Sequence, residues 1–259
     1  MKQRLFVTLS LAGLAMATFG ATKPKTAIKS LNKTTIQQPT YTEWHDLQVN
    51  AINRFPLHTN FFTYPADDWV YEKDGKIVSK DILHMNKAES KYFLSLDGTW
   101  RFNWVANADQ RPTDFYKEDL DDSKWKTMNL PGIWEMNGFG DPEYVNVGFG
   151  WRGHFDQQPP AVPTKDNHVG SYRRIIDIPA NWDGKQVVAH FGSVTSNIYL
   201  YVNGKFAGYA EDSKVAAEFD ITPYLKKGKN LIAFQTFRWC DGSWDEDQDF
   251  WRLSGVARE

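Results

Sequence analysis

The sequence contains few of the residues that build disulfide frameworks or zinc sites. Its 259 residues include one cysteine, Cys240, which excludes an intramolecular disulfide. The six histidines show no HxxxH or comparable metal-binding spacing and lie at positions 45, 58, 84, 154, 168 and 190. A fold stabilised by zinc or by disulfides is therefore not expected.

Clustered positive charge is also scarce. The chain has 30 Lys and Arg against 32 Asp and Glu, a formal net charge of −2. No basic stretch extends beyond short pairs such as Lys226-Lys227. Because nucleic-acid-binding proteins concentrate basic residues to neutralise phosphates, the sequence gives no support for a nucleic-acid partner.

Long hydrophobic runs are confined to the N-terminus. After two basic residues, an apolar stretch extends from Leu5 to Ala17 and ends in small residues. This layout is typical of a secretory signal peptide, and the stretch is too short to span a bilayer. We therefore expect a signal peptide over residues 1–21, a secreted or periplasmic protein, and no membrane span after signal removal, with an uncleaved anchor as the alternative. Residues 22–40 are polar and rich in Lys and Thr, which is typical of a disordered linker.

Aromatic residues are abundant at 15%, and they are frequent in β-structure. From Tyr92 onward, short hydrophobic runs alternate with turn signals at the spacing of a β-sandwich. The stretch "YFLSLDGTWRFNWV" predicts two strands around an Asp97-Gly98 turn, and six further runs predict strands: "SYRRIIDIPA", "KQVVAHFG", "NIYLYV", "KFAGYA", "AAEFDI" and "NLIAFQTFRW". The predicted fold is all-β: a jelly-roll sandwich over residues 92–259, preceded by an irregular arm over 41–91.

Three local signals refine this prediction. Asn203-Gly204 joins two alternating runs and indicates a hairpin with a type I′ turn. Thr222-Pro223 indicates one short helical turn with Thr222 as N-cap, ended by Gly228. Residues 107–126 contain Pro and an acidic run, so a surface loop is expected there.

The segment "FRWCDGSWDEDQDFWRLSG", residues 237–255, combines acids with aromatics. Sugar-binding sites need both, yet a structural role with Trp239 and Trp251 in packing and solvated acids is an equal alternative. A retaining glycosidase pair of carboxyl groups is not expected here, because no apolar pocket is evident to raise the pKa of one member. An EF-hand calcium loop is excluded, since Phe250 stands where the loop requires Gly, and a looser cation site that uses one of these oxygens is the alternative. No serine-nucleophile motif is present.

The same segment resembles one in β-galactosidases of glycoside hydrolase family 2. Further similarities follow in the same order over roughly residues 41–258, in "EWHDLQVNAINRFPLHTNFFTY", "LPGIWEMNGFGDPEYVNV" and "NIYLYVNGKFAGYAEDSKVAAEFDIT". The resemblance implies the N-terminal sugar-binding domain, a galactose-binding-domain-like jelly roll, of an enzyme that hydrolyses terminal β-D-galactosyl residues.

The resemblance also implies two site residues. Asn146 would touch the galactosyl unit, and Asp249 would contact galactosyl hydroxyls and help to hold Na+. Both roles suit the residues, because an amide offers a donor and an acceptor to hydroxyls while a carboxylate accepts hydrogen bonds and coordinates hard cations. The alternatives are a turn or capping role for Asn146 and a salt bridge to Arg238 or Arg252 for Asp249. After Asn146, "GFGWRGHF" departs from the family pattern.

The family's catalytic glutamates and Mg2+ ligands belong to a downstream barrel. The sequence stops at Glu259, so we expect a C-terminally truncated chain that lacks its last strand and is inactive alone. No catalytic residue is assigned here, and Mg2+ is expected only in the complete enzyme. The alternatives are a stand-alone carbohydrate-binding module and a non-catalytic subunit that complements a separate barrel chain.

Overall fold

Strands dominate the computed structural model, which describes residues 37–65, 70–79, 86–144, 151, 155–246 and 251–259. Within these ranges the helical elements are short 3-10 turns, and no helix is long and apolar enough to cross a membrane. The predicted signal peptide lies outside the described residues, as does most of the predicted linker. The structure confirms the all-β prediction.

The principal sheet has seven strands, which are β1 (Ala51–Ile52), β4 (Gly98–Val105), β5 (Lys126–Leu130), β8 (Val169–Ile178), β11 (Ile198–Val202), β12 (Lys205–Ala210) and β14 (Gly228–Phe237). Their order across the sheet is β1-β12-β11-β14-β8-β4-β5. All of its neighbouring strands are antiparallel. The longest pairing joins β14 to β8 over ten residue pairs, from Gly228↔Ile178 to Phe237↔Val169.

A second layer covers one face of this sheet. It consists of a three-stranded sheet, β10-β16-β6, and a two-stranded sheet, β13-β9. Two further pairs, β2-β3 and β15-β7, complete the strands. Their bounds are β2 (Val70–Lys73), β3 (Lys76–Ser79), β6 (Gly132–Ile133), β7 (Glu143–Tyr144), β9 (Val188–Phe191), β10 (Ser193–Thr195), β13 (Ala217–Asp220), β15 (Trp251–Arg252) and β16 (Gly255–Arg258).

The face of the principal sheet toward this second layer, the inner face, carries the sandwich core. Phe234 and Leu200 point into it and are fully buried, together with Trp100, Phe102 and Phe219. Packing is close enough to exclude a side chain at Gly170, where a Cβ would come within 2.4 Å of the Trp134 ring. This interdigitation produces the jelly-roll sandwich that the sequence predicted.

The opposite, outer face is buried as well. On β11 the alternation of a strand sends Ile198, Leu200 and Val202 inward and Tyr199 and Tyr201 outward, and all five are buried. A strand buried on both faces has a continuous hydrophobic sequence, which explains "IYLYV". Two segments that precede β8 contribute residues that cover the outer face, and these include Trp44, Ala108 and Phe115.

The first covering segment belongs to the arm before residue 92. Trp44 stacks on Phe237 with ring centroids 5.0 Å apart, and β1 adds to the edge of the sheet through Ile52↔Tyr209. Burying one such aromatic side chain contributes about 2–3 kcal/mol. The predicted division of the chain at residues 21, 40 and 91 remains a prediction.

The second covering segment, residues 107–126, was predicted as a surface loop, which is wrong for part of it. Phe115 is fully buried against Tyr201. The buried Arg173 guanidinium on β8 binds the Asp122 carboxylate at 2.7 Å and the Lys117 carbonyl at 2.9 Å, and it also donates to the Phe115 carbonyl. Long-range hydrogen bonds thus hold a polar segment against the sheet.

The hairpin prediction is confirmed, because Val202 pairs with Lys205 across Asn203 and Gly204, whose φ angles are 49° and 76°. The strand predicted just before Asp97 is absent. There the Leu96 carbonyl accepts from Trp100 and Arg174 side chains instead of from a neighbouring strand.

The helical turn near Pro223 forms as a 3-10 helix, Thr222–Tyr224. Its N-cap is Ile221 rather than the predicted Thr222, which is the first residue of the turn. The Thr222 hydroxyl accepts from the Val187 backbone N–H at 2.8 Å. The hydroxyl therefore joins the turn to the chain before β9 rather than capping it.

Candidate functional site

The acidic and aromatic segment begins where β14 ends, at one end of the principal sheet. The Arg238 backbone N–H donates to the His168 carbonyl at 2.8 Å, which extends the pairing of β14 with β8 by one step. A 3-10 helix, Asp241–Trp244, follows. Trp239 is buried, as one alternative predicted, whereas 54% of Trp251 is exposed.

Arg238 is a buried cation at this end of the principal sheet. Its side chain is 3% exposed, and its Nη2 lies 3.2 Å from the Glu143 carboxylate on β7. Its Nη1 lies 3.3 Å from His168 Nδ1, and its guanidinium lies 5.0 Å from the centre of the Trp239 ring. Because a buried charge is costly without partners, these contacts determine how β7, β8 and β14 meet.

His168 is held in its neutral form. Burial lowers its pKa, and the neighbouring Arg238 charge lowers it further. With Nδ1 accepting from Arg238, the ring proton lies on Nε2, which donates to Asp166 Oδ1 at 3.2 Å. The imidazole therefore connects a cation to an acid without carrying charge itself.

Three tryptophans fasten the segment to the sandwich. The Trp151 ring meets Trp239 edge to face at 5.2 Å and Trp244 at 4.7 Å. Trp244 Nε1 also donates to the Ala161 carbonyl at 2.9 Å. Aromatic residues in this segment thus hold a loop in place, in agreement with the packing role considered for them.

Two acids that lie 30 positions apart in the sequence come together beneath this loop. Oxygen atoms of Glu211 and Asp241 and the sulfur of Cys240 lie within 4.8 Å of one another, and all three residues are buried. Burial raises the pKa of Glu211 to about 9, and it also raises that of Asp241. Tyr209 donates its hydroxyl to Glu211. At neutral pH Glu211 is therefore protonated and shares its proton with Asp241.

This pair has one attribute of a glycosidase pair, a carboxyl group with a raised pKa near a second carboxyl group. Both residues are however buried, and a Cβ at Gly242 would come within 2.9 Å of a Glu211 oxygen. A glycosidic bond cannot reach either oxygen without displacing the loop. The three groups could also face one cation, but a protonated Glu211 is a poor ligand, and the hydrogen-bonded acid pair accounts for the arrangement.

An exposed aromatic surface begins next to Glu143, the ion-pair partner of Arg238. Tyr144 on β7 and Trp251 on β15 are register partners, with ring centroids 5.5 Å apart, and they are 51% and 54% exposed. Exposed aromatic rings at a loop-rich sheet end are typical of surfaces that bind the apolar face of a sugar.

The two predicted site residues, Asn146 and Asp249, lie outside the described residues. Tyr144 is two residues before Asn146, and Trp251 is two residues after Asp249. Because Tyr144 pairs with Trp251, the described residues just before Asn146 and just after Asp249 are neighbours in the structure. The roles of Asn146 and Asp249 and the Na+ site remain predictions.

Glu143, His168 and Glu211 were missed as members of this region. No spacing marks them, because their partners come from strands and loops that are far apart in the sequence. The sequence analysis named Arg238 as an alternative salt-bridge partner for Asp249. Among the described residues, the Arg238 side chain contacts Glu143 and His168.

Comparison with known proteins defines the class of this domain. Residues 93–259 match the model of the glycosyl hydrolases family 2 sugar binding domain. The chain therefore belongs to glycosyl hydrolase family 2, of which it contains the sugar binding domain.

Similar curated proteins are much longer than this chain. A β-galactosidase of Priestia megaterium (strain DSM 319 / IMG 1521) is 37% identical over 220 residues, which are 85% of this chain and 20% of that protein. A β-galactosidase of Lactobacillus delbrueckii subsp. bulgaricus is 38% identical over 214 residues, 82% of this chain and 20% of that protein. A β-galactosidase large subunit of Leuconostoc lactis is 31% identical over 226 residues, 83% and 34% respectively. The chain thus spans about a fifth to a third of their lengths.

Among solved structures, a β-glycosidase from Bacteroides vulgatus is similar with 25% identity and a TM-score of 0.43, over 63% of this chain and 19% of that one. A β-glucuronidase from Bacteroides uniformis has 22% identity and a TM-score of 0.45, over 64% and 17%.

Proposed function

We propose that this chain is the part of a β-galactosidase that binds and orients the terminal β-D-galactosyl unit. The observation that carries the proposal is the exposed Tyr144–Trp251 pair, whose members are two residues from Asn146 and from Asp249 in the sequence. The chain is 37% identical to a β-galactosidase. The aromatic rings would contact the apolar face of the sugar while the amide and carboxylate bind its hydroxyls.

The proposal separates positioning from bond cleavage. A retaining glycosidase needs two accessible carboxyl groups about 5 Å apart, and the buried Glu211–Asp241 pair does not meet this need. The catalytic acids and Mg2+ would come from a barrel domain, while Asp249 would coordinate Na+ beside the sugar. The predicted signal peptide supports a secreted or periplasmic location.

Galactose titration of the purified chain, followed by tryptophan fluorescence, tests the binding role. We expect millimolar galactose to change the emission, and Asp249→Asn to weaken binding about tenfold or more, because hydrogen bonds to a charged group contribute about 1.5–3 kcal/mol. Replacing Na+ by K+ should weaken binding in the parent chain and have little effect in the variant. Asp119→Asn, at an exposed acid of the 107–126 segment, is the matched control. Equal affinity of the parent chain and Asp249→Asn would contradict the assigned role.

The remaining possibilities differ in whether the catalytic barrel domain belongs to the same chain or to a separate one. The similar Leuconostoc lactis protein is called a large subunit. A second candidate function is therefore that of a subunit that assembles with a separate barrel chain. We expect no hydrolysis of a chromogenic β-galactoside by this chain alone, and hydrolysis after mixing with a barrel chain that accepts it. Hydrolysis by the chain alone, abolished by Asp249→Ala, would refute the separation of roles.

A further inference from the structure

A cavity lies on the outer face of the principal sheet, at the hairpin turn between β11 and β12. It has a volume of about 370 Å³. Aromatic side chains dominate its lining, which consists of Gln38, Pro39, Tyr41, Tyr116, Tyr201, Gly204, Lys205, Phe206 and Tyr224. We name this cavity the tyrosine pocket. Its volume lies within the range of about 300–1,000 Å³ that is typical of small-molecule sites.

The tyrosine pocket is separate from the candidate site. Tyr201 pairs with Ala233, and Arg238 follows Ala233 by five residues along the same strand and its continuation. At about 3.4 Å per residue, the two regions are about 17 Å apart. A ligand in the tyrosine pocket would therefore not touch the Tyr144–Trp251 surface.

Parallel aromatic rings form one side of the pocket. Tyr116 stacks on Tyr201 with centroids 4.3 Å apart and an interplanar angle of 9°. Tyr201 is buried, whereas Tyr116 and Tyr41 are partly exposed. The stacking fixes the Tyr116 ring while leaving part of it accessible. A fixed, accessible ring is the surface on which the C–H face of a sugar packs.

Polar groups lie among these rings. The hydroxyls of Tyr41 and Tyr201 are hydrogen-bonded to each other. Burial raises the pKa of Tyr41 to about 12, so its hydroxyl remains a neutral donor and acceptor. Gln38 and Lys205 are exposed at the lining and add an amide and an ammonium group. Neutral hydroxyls and an amide are suited to other hydroxyl groups.

We propose that the tyrosine pocket is a second saccharide-binding site, for a neutral mono- or disaccharide. Aromatic faces combined with hydroxyl, amide and ammonium donors match a ligand that has both C–H faces and hydroxyls. Among the described residues that line the pocket, Lys205 is the one cation, which is too little charge for a phosphate ligand of comparable size. The proposal goes beyond the galactosyl site and does not depend on Asn146 or Asp249.

Saturation-transfer NMR on the full chain, with methyl β-galactoside and lactose as probes, tests this site. In Asp249→Ala, we expect residual binding of at least one probe. Adding Tyr116→Ala should weaken that binding about tenfold, because the stacked ring is lost. Tyr116→Phe should keep most of the affinity, and Lys205→Ala should reduce it without disturbing the rings. Trp251→Ala, which removes an exposed aromatic at the other site, is the matched control and should leave this binding unchanged.

Thermal unfolding of each variant shows whether it is folded, and Lys205→Ala keeps the proposal testable if Tyr116→Ala fails to fold. The proposal is overturned if Asp249→Ala removes all saturation transfer, or if folded Tyr116→Ala and Lys205→Ala variants both leave the residual binding unchanged. The galactosyl-site proposal fails on a different result, namely unchanged affinity in Asp249→Asn.

Discussion

The two faces of the principal sheet are both buried, yet they are built from different chemistry. The inner face packs hydrocarbon and aromatic groups around Phe234. The outer face packs Tyr199, Tyr201 and Tyr209, whose hydroxyls bond to Glu43, Tyr41 and Glu211. The inner face is closed by strands, whereas the outer face is closed by segments with little regular structure. Those segments need specific hydrogen bonds to stay in place, so polar changes should affect the outer face most.

The largest expected effect is on the inner face. Phe234 is fully buried, and its ring centroid lies 4.3 Å from that of Tyr172 and 5.3 Å from that of Trp100. Phe234→Ala should lower the free energy of unfolding by about 3–5 kcal/mol, measured by urea denaturation, because it leaves a cavity. Phe61→Ala, at a residue 70% exposed, is the control. A loss below about 1 kcal/mol would show that the inner face is not tightly packed.

The second effect is a stabilisation on the outer face. Because the pKa of Glu211 rises from 4.5 to about 9 on folding, the folded chain takes up a proton, and stability falls as the pH rises between these values. Glu211→Gln should therefore stabilise the chain by about 2–3 kcal/mol at pH 7 and remove much of this pH dependence. Urea denaturation at pH 5, 7 and 8.5 measures it, with exposed Glu72→Gln as control. Destabilisation by Glu211→Gln at pH 8.5 would contradict the protonated acid pair.

A smaller effect is expected at Tyr199, whose hydroxyl donates to Glu43 at 3.0 Å and accepts from the Trp44 backbone N–H at 3.3 Å. Tyr199→Phe keeps the ring but removes both hydrogen bonds, and should cost about 1–2 kcal/mol. Tyr92→Phe, at a partly exposed ring outside the outer-face core, is the control. If the two variants are equally stable in urea, the hydroxyl network does not hold the arm.

The smallest effect concerns His58, an exposed residue that joins the arm to Glu218 at 2.8 Å. Hydrogen bonds to the Thr59 carbonyl and to Glu218 raise its pKa. Its contribution is therefore complete below pH 6.5 and lost as the pH rises through the raised pKa. His58→Ala should lower the melting temperature slightly at pH 5.5 and not at pH 8.5. An equal decrease at both values would exclude protonation as the cause.

Local patterns predicted much of the sandwich and less of the candidate site. The Asn203-Gly204 turn and the alternating runs on either side identified β11 and β12, because their side-chain periodicity is a local property. The residues before Asp97 are also largely hydrophobic but form no strand, and the carbonyl of Leu96 accepts from the side chains of nearby Trp100 and distant Arg174. Propensity alone does not distinguish these two outcomes.

The sequence by itself determined the all-β class, the family and the positions of Asn146 and Asp249 as candidates, because these depend on local alternation, turn chemistry and motif resemblance. Only the tertiary structure decided that Arg238 meets Glu143, that Glu211 meets Asp241 and that the tyrosine pocket forms beside Tyr201. Each of these joins residues from different strands or loops. Their contacts depend on how the layers pack and on which buried polar groups must find a partner, and neither can be read from spacing along the chain.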